Sequence, residues 1–317
     1  MRKPIIGLVA VASAAVIALV PQMNHAIVDA KQRAHVGHSA RPLLPGYRYI
    51  RSQRPDRTNV YNERDHLVAT LTEGARTVVF RPRERTFSDP QAAAPVRTNA
   101  WVRFAPTPWR FGQQDTTAFR AWFAREVTNT SPDLFAHAMR YLTGHAEDAG
   151  FGRYAKDDVH RVRGADWNDY LGVAWGDLQP DPRLRRNLDC SGYVRLVYGH
   201  DMGVKLYPDT GLHADGLGRF SRSMAAGTPG VVIADSRPEQ LTDLDELQPG
   251  DLVFFALHSR TRISHMGFYL GRDEQGHRRY LSSRMRANGP TFGDAGGAAV
   301  LDGDGYYARH LRLVRRL

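Results

Sequence analysis

The sequence predicts an α+β fold in which a helix carrying the only cysteine of the chain packs against an antiparallel sheet carrying a histidine. Asp189 is a favourable N-cap residue, and apolar residues follow it at helical spacing. Residues 263–270 alternate as a strand does, which places His265 on one of its faces. A glycine-containing turn at 273–276 joins this strand to a second run at 279–283, so the two are expected to pair as a hairpin.

The cysteine itself, Cys190, is predicted to lie in the first turn of that helix. Unpaired N–H groups at the positive end of a helix lower the pKa of a thiol and favour the thiolate. A lone cysteine is more often a buried structural residue. Here Ser191 and Gly192 leave room for a substrate, and His265 follows on a strand that can present an imidazole to the helix start. We therefore interpret Cys190 and His265 as a nucleophile and its base.

Three ordered motifs at a plausible separation carry a family resemblance. They are Asp-Cys-Ser-Gly-Tyr-Val at 189–194, Gly-Asp-Leu-Val-Phe-Phe at 250–255 and Ser-His-Met-Gly-Phe-Tyr-Leu-Gly at 264–271. Together they resemble the NlpC/p-sixty family of cell-wall hydrolases, a branch of the papain-like cysteine peptidases. The resemblance covers 170–317. It implies a papain-like fold and a peptidase that cuts stem peptides of bacterial peptidoglycan, typically between D-glutamate and the diamino acid, without a metal or organic cofactor.

The third member of the site departs from the family pattern. The family often has a histidine at the position of Ser282, where it orients the catalytic imidazole. A serine hydroxyl can accept a hydrogen bond from Nδ1–H, although more weakly. Asp273, His277 and Asn288 are alternatives if the hairpin folds differently. The predicted catalytic residues are Cys190, His265 and Ser282.

Five residues around these motifs are predicted to contact the substrate: Asp189, Ser191, Tyr170, Trp175 and Ser264. In the family a tyrosine lies two residues before the tryptophan that corresponds to Trp175, and this sequence has Val173 there. Tyr170 is close enough along the chain to replace it. Core packing is an equally good interpretation of Tyr170 and Trp175.

Composition and charge limit the partners. The chain has 317 residues, of which 42% are hydrophobic, enough for one sizeable domain and a smaller one. Its 43 Lys and Arg against 33 Asp and Glu give a formal charge of +10, which favours anionic partners. No nucleic-acid-binding motif accompanies this charge. The expected partners are peptidoglycan stem peptides and anionic cell-wall polymers, and not nucleic acid.

The N-terminus has the pattern of an export signal. A basic start precedes an apolar run at 5–20 that is short for a transmembrane helix. Cleavage after Ala30 is possible, and an uncleaved anchor is the alternative, so a membrane partner is expected only if the segment is retained. Secretion to the cell wall is the expected localisation. The predicted divisions are a signal peptide or anchor at 1–30, a linker at 31–60, a small β-rich region at 61–112 and the peptidase domain at 113–317.

Three points remain open from sequence. The β-rich region is either a wall-binding module or a set of strands packed on the peptidase domain. The same Cys–His scaffold also fits an amidase or an acyltransferase. A non-catalytic wall-binding protein is the second rival, because the tyrosine is displaced and a serine replaces the usual histidine.

Overall fold

The computed structural model describes residues 46–53, 56–152, 164–227 and 229–317. The predicted signal segment at 1–30 and the first part of the predicted linker lie outside these ranges. The strands are β1 (Tyr47–Gln53), β2 (Asp56–Asn62), β3 (Leu67–Thr72), β4 (Thr77–Phe80), β5 (Arg85–Phe87), β6 (Val96–Thr98), β7 (Trp101–Phe104), β8 (Val231–Asp235), β9 (Leu252–Phe255), β10 (His265–Arg272), β11 (Arg278–Arg284), β12 (Gly289–Thr291) and β13 (Leu311–Arg316).

The helices of the described ranges are short. They are α1 (Thr117–Glu126), α2 (Leu134–Met139), α3 (Trp167–Leu171), α4 (Cys190–Val194), α5 (Ser221–Gly227) and α6 (Tyr306–His310), with 3₁₀ turns at Gln113–Asp115 and Pro182–Leu184. A π-helical segment, Arg195–Asp201, continues α4. None of the helices described is long and apolar enough to cross a lipid bilayer. The coarse prediction of a mixed α and β fold with antiparallel sheets and a β-rich N-terminal region is confirmed.

The N-terminal sheet has the strand order β1-β2-β3-β4-β7, and every neighbouring pair is antiparallel. Helix α1 covers it with an aromatic cluster, in which the Phe80 ring lies 5.6 Å from Trp122 and 5.5 Å from Phe123. The predicted linker at 31–60 is wrong over 47–53 and 56–60, because β1 and β2 form there around buried Tyr49 and Val60. Helix α1, which the sequence assigned to the peptidase domain, shares its core with this sheet.

The second sheet carries the site and has the order β12-β11-β10-β9-β13-β8. Helices α2 and α4 lie on it through Phe268, whose ring stacks on Phe135 and on Tyr193 with centroids 6.3 and 5.6 Å away. The many Gly and Pro residues of 204–248 predict a long loop there, and this prediction is wrong in part. The stretch contains α5 and also β8, which pairs with β13 at the sheet edge.

The two sheets are packed together in the described structure. Val79, Val96 and Val102 of the N-terminal region belong to the same buried cluster as Tyr193 and Phe268. The sequence left open whether the β-rich region is a wall-binding module or a set of strands packed on the peptidase domain, and the structure shows the strands packed on that domain. Binding to the wall through that region remains untested.

Candidate active site

Helix α4 begins at Cys190, the residue after the predicted N-cap. The Asp189 carboxylate accepts a hydrogen bond from the Gly192 backbone N–H at 2.6 Å, as an N-cap residue does. Gly192 is required by close packing, since a Cβ there would lie 2.2 Å from the carbonyl oxygen of Ala165. The helix start is therefore held from both sides, by its own cap and by the neighbouring backbone.

Two tyrosines, one in α4 and one in the π-helical segment that continues it, fix the position of the helix on the sheet. The Tyr193 hydroxyl donates to the Ala138 carbonyl at 2.9 Å, and its ring stacks on Phe268 of β10. The Tyr198 hydroxyl donates to the carbonyl of Gly250 at the turn before β9. Because both side chains are fully buried, α4 is tied to α2 and to the sheet at once. This arrangement presents the start of α4 to β10, against which it packs.

His265 is the first residue of β10, opposite Phe255 of β9, and is 7% exposed. The Ser282 hydroxyl of β11 lies 3.2 Å from His265 Nε2 and 2.6 Å from the Met266 carbonyl oxygen. A hydroxyl has one proton, and the shorter contact is to a pure acceptor, so we assign that proton to Met266. Ser282 then accepts from Nε2–H, which leaves His265 Nδ1 unprotonated and able to act as a base.

This contact involves a different ring nitrogen from the one expected, since the sequence argument had placed the serine on Nδ1. Gly267 permits it, because a Cβ on that residue would lie 2.9 Å from Ser282 Cβ. The three alternative partners are engaged elsewhere. Asp273 accepts from Arg279 and from the His277 backbone, and Asn288 accepts from the backbone of Phe151.

Cys190 and His265 face the same cavity of about 610 Å³. Its walls combine the start of β10 and the end of β11 with the start of α6 and four loops. Besides the pair, they include Phe151, Leu257, His258, Ser264, Ser283, Arg284, Met285, Arg286, Gly296, Gly297, Tyr306 and Tyr307. No aspartate or glutamate is among the residues that line it. The cavity can therefore hold a substrate beside the thiol and the imidazole, and its lining is positively charged through Arg284 and Arg286.

The pKa values of the pair differ from the sequence prediction. Burial, followed by the neighbouring Asp189 charge, raises the pKa of the Cys190 thiol to about 12, although the Met266 backbone and Arg219 oppose this. Burial, followed by the Arg284 charge, lowers the pKa of His265 to about 3. The predicted depression of the thiol pKa is wrong because desolvation outweighs the few N–H groups of a five-residue helix. The resting pair is a neutral thiol and a neutral imidazole.

A buried ionic network lies behind the start of α4. Arg219 bonds Asp189 at 2.7 Å and the Ser191 hydroxyl at 2.9 Å, and it lies 3.4 Å from Asp166. Arg195 bonds Asp166 at 2.9 Å. Although burial opposes its ionisation, Arg219 and Arg195 hold the pKa of Asp166 below its ordinary value. No sequence pattern indicated a role for Arg219, because it lies within the stretch at 204–248 that predicts a loop.

The five predicted substrate contacts fall in different places. The polar groups of Asp189 and Ser191 are engaged by Arg219, whereas Ser264 lines the cavity. The Tyr170 hydroxyl donates to the Glu147 carbonyl at 2.6 Å, and Trp175 packs on Trp167 with ring centroids 5.3 Å apart. Neither aromatic residue is among those that line the cavity. Contact of these five residues with substrate stays a prediction.

Metal ligands were not predicted. Within the described ranges, no group of three or more His, Cys, Asp and Glu side chains is placed to hold a metal ion. The histidines near the N-terminus lie outside those ranges.

Known proteins resemble the part of the chain that contains the site. The sequence model of the NlpC/P60 family matches residues 173–291, a range that includes Cys190, His265 and Ser282. A stretch of 113 residues is 31% identical to the probable endopeptidase YafL of Escherichia coli (strain K12), and covers 36% of this chain and 34% of that relative. The match thus spans about a third of the relative's length. No solved structure matches the chain significantly. The segment at 173–291, which holds the site, therefore matches the NlpC/P60 family, and within the chain it is similar to a probable endopeptidase.

Proposed function

We propose that this protein is a cysteine peptidase that hydrolyses amide bonds in peptidoglycan stem peptides, between D-glutamate and the diamino acid. The single observation that carries the proposal is the cavity in which Cys190, at the start of α4, lies with His265, whose Nε2 contacts Ser282. The match of residues 173–291 to the NlpC/P60 family and the likeness to a probable endopeptidase support a peptidase acting on this class of substrate.

The neutral resting pair dictates how the reaction begins. Because the thiol holds its proton and His265 does not, attack of Sγ on the amide carbonyl is coupled to transfer of the thiol proton to His265 Nδ1. The imidazolium then donates this proton to the leaving amine nitrogen as the C–N bond breaks and a thioester remains. Water, deprotonated by His265, attacks the thioester and releases the carboxylic acid and the thiol.

Two features assist these steps. Ser282 favours the tautomer that leaves Nδ1 free, which raises the fraction of the enzyme able to accept the thiol proton. The developing oxyanion is held by backbone N–H groups at the start of α4, including that of Cys190. Arg219, through Asp189, keeps that helix start in place.

Digestion of purified peptidoglycan, followed by mass spectrometry of the released fragments, tests the proposal. The parent protein should release fragments that end in D-glutamate or begin with the diamino acid. Cys190→Ser and Cys190→Ala should both be inactive while keeping the thermal unfolding curve of the parent. Cleavage that survives in either variant contradicts a cysteine mechanism. Fragments cut at the amide that joins sugar to peptide identify the amidase rival, and a transferred acyl group identifies the acyltransferase rival.

We also propose export to the cell wall, on the strength of the basic and apolar start at 1–20 and the charge of +10. Cell fractionation should find the protein in the envelope or the medium, with a mature N-terminus near residue 31. Retention on isolated wall should weaken as salt rises, because screened charges carry it. Full-length protein confined to the cytoplasm contradicts export.

A further inference from the structure

Arg284, the last residue of β11, is a buried cation in the wall of the cavity that holds Cys190 and His265. It is 2% exposed. Its two Nη groups donate to the carbonyl oxygens of Gly293, at 2.7 Å, and Gly297. Its Nε–H is buried and has no hydrogen-bond partner among the described residues. Its Cζ also lies 5.3 Å from the centroid of the Tyr307 ring, so the contacts that hold the guanidinium are all with neutral groups.

Other arginines buried to the same degree have a carboxylate partner. In the described ranges, the arginines that are at most 3% exposed are Arg195, Arg219, Arg279, Arg284 and Arg316. Arg195 pairs with Asp166, Arg219 with Asp189, Arg279 with Asp273 and Arg316 with Asp251, each at 2.7 to 2.9 Å. Arg284 has no such ion pair among the residues described. Of these five arginines, four are neutralised by a carboxylate, and the exception is Arg284, which faces the cavity.

A buried cation without a counter-ion is costly, and carbonyl dipoles offset only part of that cost. The residues that line the cavity include no acid, and they add a second cation, the exposed Arg286. Arg286 has no ion pair within the described ranges. The Arg284 charge also acts on the reacting centre, because it contributes to the lowered pKa of His265. An anion that enters this cavity would therefore meet two unneutralised guanidinium groups beside the Cys–His pair.

We propose that Arg284, with Arg286 at the rim, binds a free carboxylate of the substrate next to the scissile amide. The inference rests on the proposed peptidase function and adds a basis for substrate choice. Guanidinium groups recognise carboxylates through paired hydrogen bonds, and a carboxamide at the same position offers no charge and presents N–H groups that clash with the donors. The carboxylate comes either from the glutamyl residue, which keeps one carboxyl group free when the other is in the scissile bond, or from the diamino acid.

Three synthetic stem peptides separate these sources: one with both carboxylates, one amidated at the glutamyl residue and one amidated at the diamino acid. We expect kcat/KM of the parent enzyme to fall about 10- to 100-fold for one of the two amidated peptides, the range expected when a hydrogen-bonded charge is lost. The peptide that loses activity identifies the carboxylate that Arg284 binds. Arg284→Gln should lower kcat/KM for the preferred acid by a similar factor and remove the discrimination between acid and amide.

Two further variants make the test independent of folding. Arg312→Gln is the matched control, since Arg312 is also buried, bonds only backbone carbonyls and lies outside the cavity. It should keep the acid-to-amide ratio of the parent. Arg286→Gln changes an exposed residue, should fold normally and should reduce the discrimination several-fold.

The outcomes distinguish this inference from the function on which it rests. A parent enzyme that cleaves none of the three peptides refutes the proposed function, and the inference falls with it. Equal cleavage of all three peptides by the parent overturns the inference and leaves the function standing. If Arg284→Gln lowers kcat/KM for all peptides by one factor, Arg284 only holds the loop at 293–297, and the inference is again overturned. Should that variant fail to fold, unchanged discrimination in Arg286→Gln overturns it.

Discussion

Replacing Ser282 by alanine tests how the imidazole is held. The hydroxyl is fully buried, accepts from His265 Nε2 at 3.2 Å and donates to the Met266 carbonyl at 2.6 Å. Without it, His265 has no partner at Nε2 among the described contacts, and the tautomer with the proton on Nδ1 is no longer disfavoured. That tautomer cannot take the proton of the Cys190 thiol, so the active fraction falls.

The magnitude follows from the nature of the lost contact. A neutral hydrogen bond contributes about 0.5–1.5 kcal/mol, which corresponds to a decrease in kcat of about 2- to 13-fold. A charged or imidazole partner would have contributed more, so complete loss of activity is not expected. KM should change little, because Ser282 is not among the residues that line the cavity.

The assay is steady-state cleavage of a stem peptide, combined with ¹⁵N chemical shifts of the His265 ring to report the tautomer. Ser223→Ala is the matched control, since Ser223 is also buried and donates to a backbone carbonyl, that of Thr210, at 2.7 Å. It reproduces the loss of a buried hydroxyl that donates to a backbone carbonyl, at a residue that does not line the cavity. If Ser282→Ala turns over as fast as Ser223→Ala with unchanged ring shifts, the tautomer argument is refuted.

Three further predictions follow from the geometry. The pKa of the Cys190 thiol is raised to about 12, so its alkylation should be slow at neutral pH, and the rate should rise about tenfold per pH unit between pH 6 and 9. A plateau of the rate in that range, or a rate equal to that of the denatured chain, would contradict the raised pKa. The pKa of His265 is lowered to about 3 in the folded protein, so between about pH 6.5 and 3 the unfolded chain binds a proton that the folded protein does not. The free energy of unfolding should therefore fall as the pH decreases over this range, by at most about 5 kcal/mol. His265→Gln should flatten this pH dependence in urea titrations, and parallel curves for parent and variant would contradict the argument. Gly192→Ala should destabilise the protein by about 1–3 kcal/mol, because the new Cβ would clash with the Ala165 carbonyl. Gly305→Ala, whose Cβ would meet nothing within 4 Å, should change the free energy of unfolding by no more than about 0.5 kcal/mol. Equal melting temperatures of the two variants would contradict the packing argument.

The sequence by itself determined the elements that carry the proposed pair. A capping aspartate followed by helical spacing placed the start of α4 at Cys190, and alternation placed His265 on a strand. Short apolar runs at 77–80 and 252–255 likewise predict strands, and the structure has β4 and β9 at these bounds. These signals are local, because a cap, an alternation or a turn depends on residues a few positions apart.

Strand β1 and the start of β2 escaped prediction because their apolar residues are few and the surrounding composition is typical of a linker. Tyr49 and Val60 are buried only because helix α1 and the neighbouring strands cover them. The same covering aromatic residues gave α1 a clear helical pattern without indicating which sheet it would pack on. Periodicity shows that a face is apolar, and the partner of that face is a tertiary property.

Only the tertiary structure decided the electrostatics of the site. The dipole argument for Cys190 used residues next to it in sequence, whereas the desolvation that raises its pKa comes from the packed strands of the sheet. Likewise, the ring nitrogen that contacts Ser282 depends on how closely β10 and β11 approach at Gly267. Arg219 and Arg284 reach the site from 29 and 94 residues beyond the cysteine, a separation at which no local pattern reports contact. Charges and burial act through space, so they become readable only once the chain has brought these side chains together.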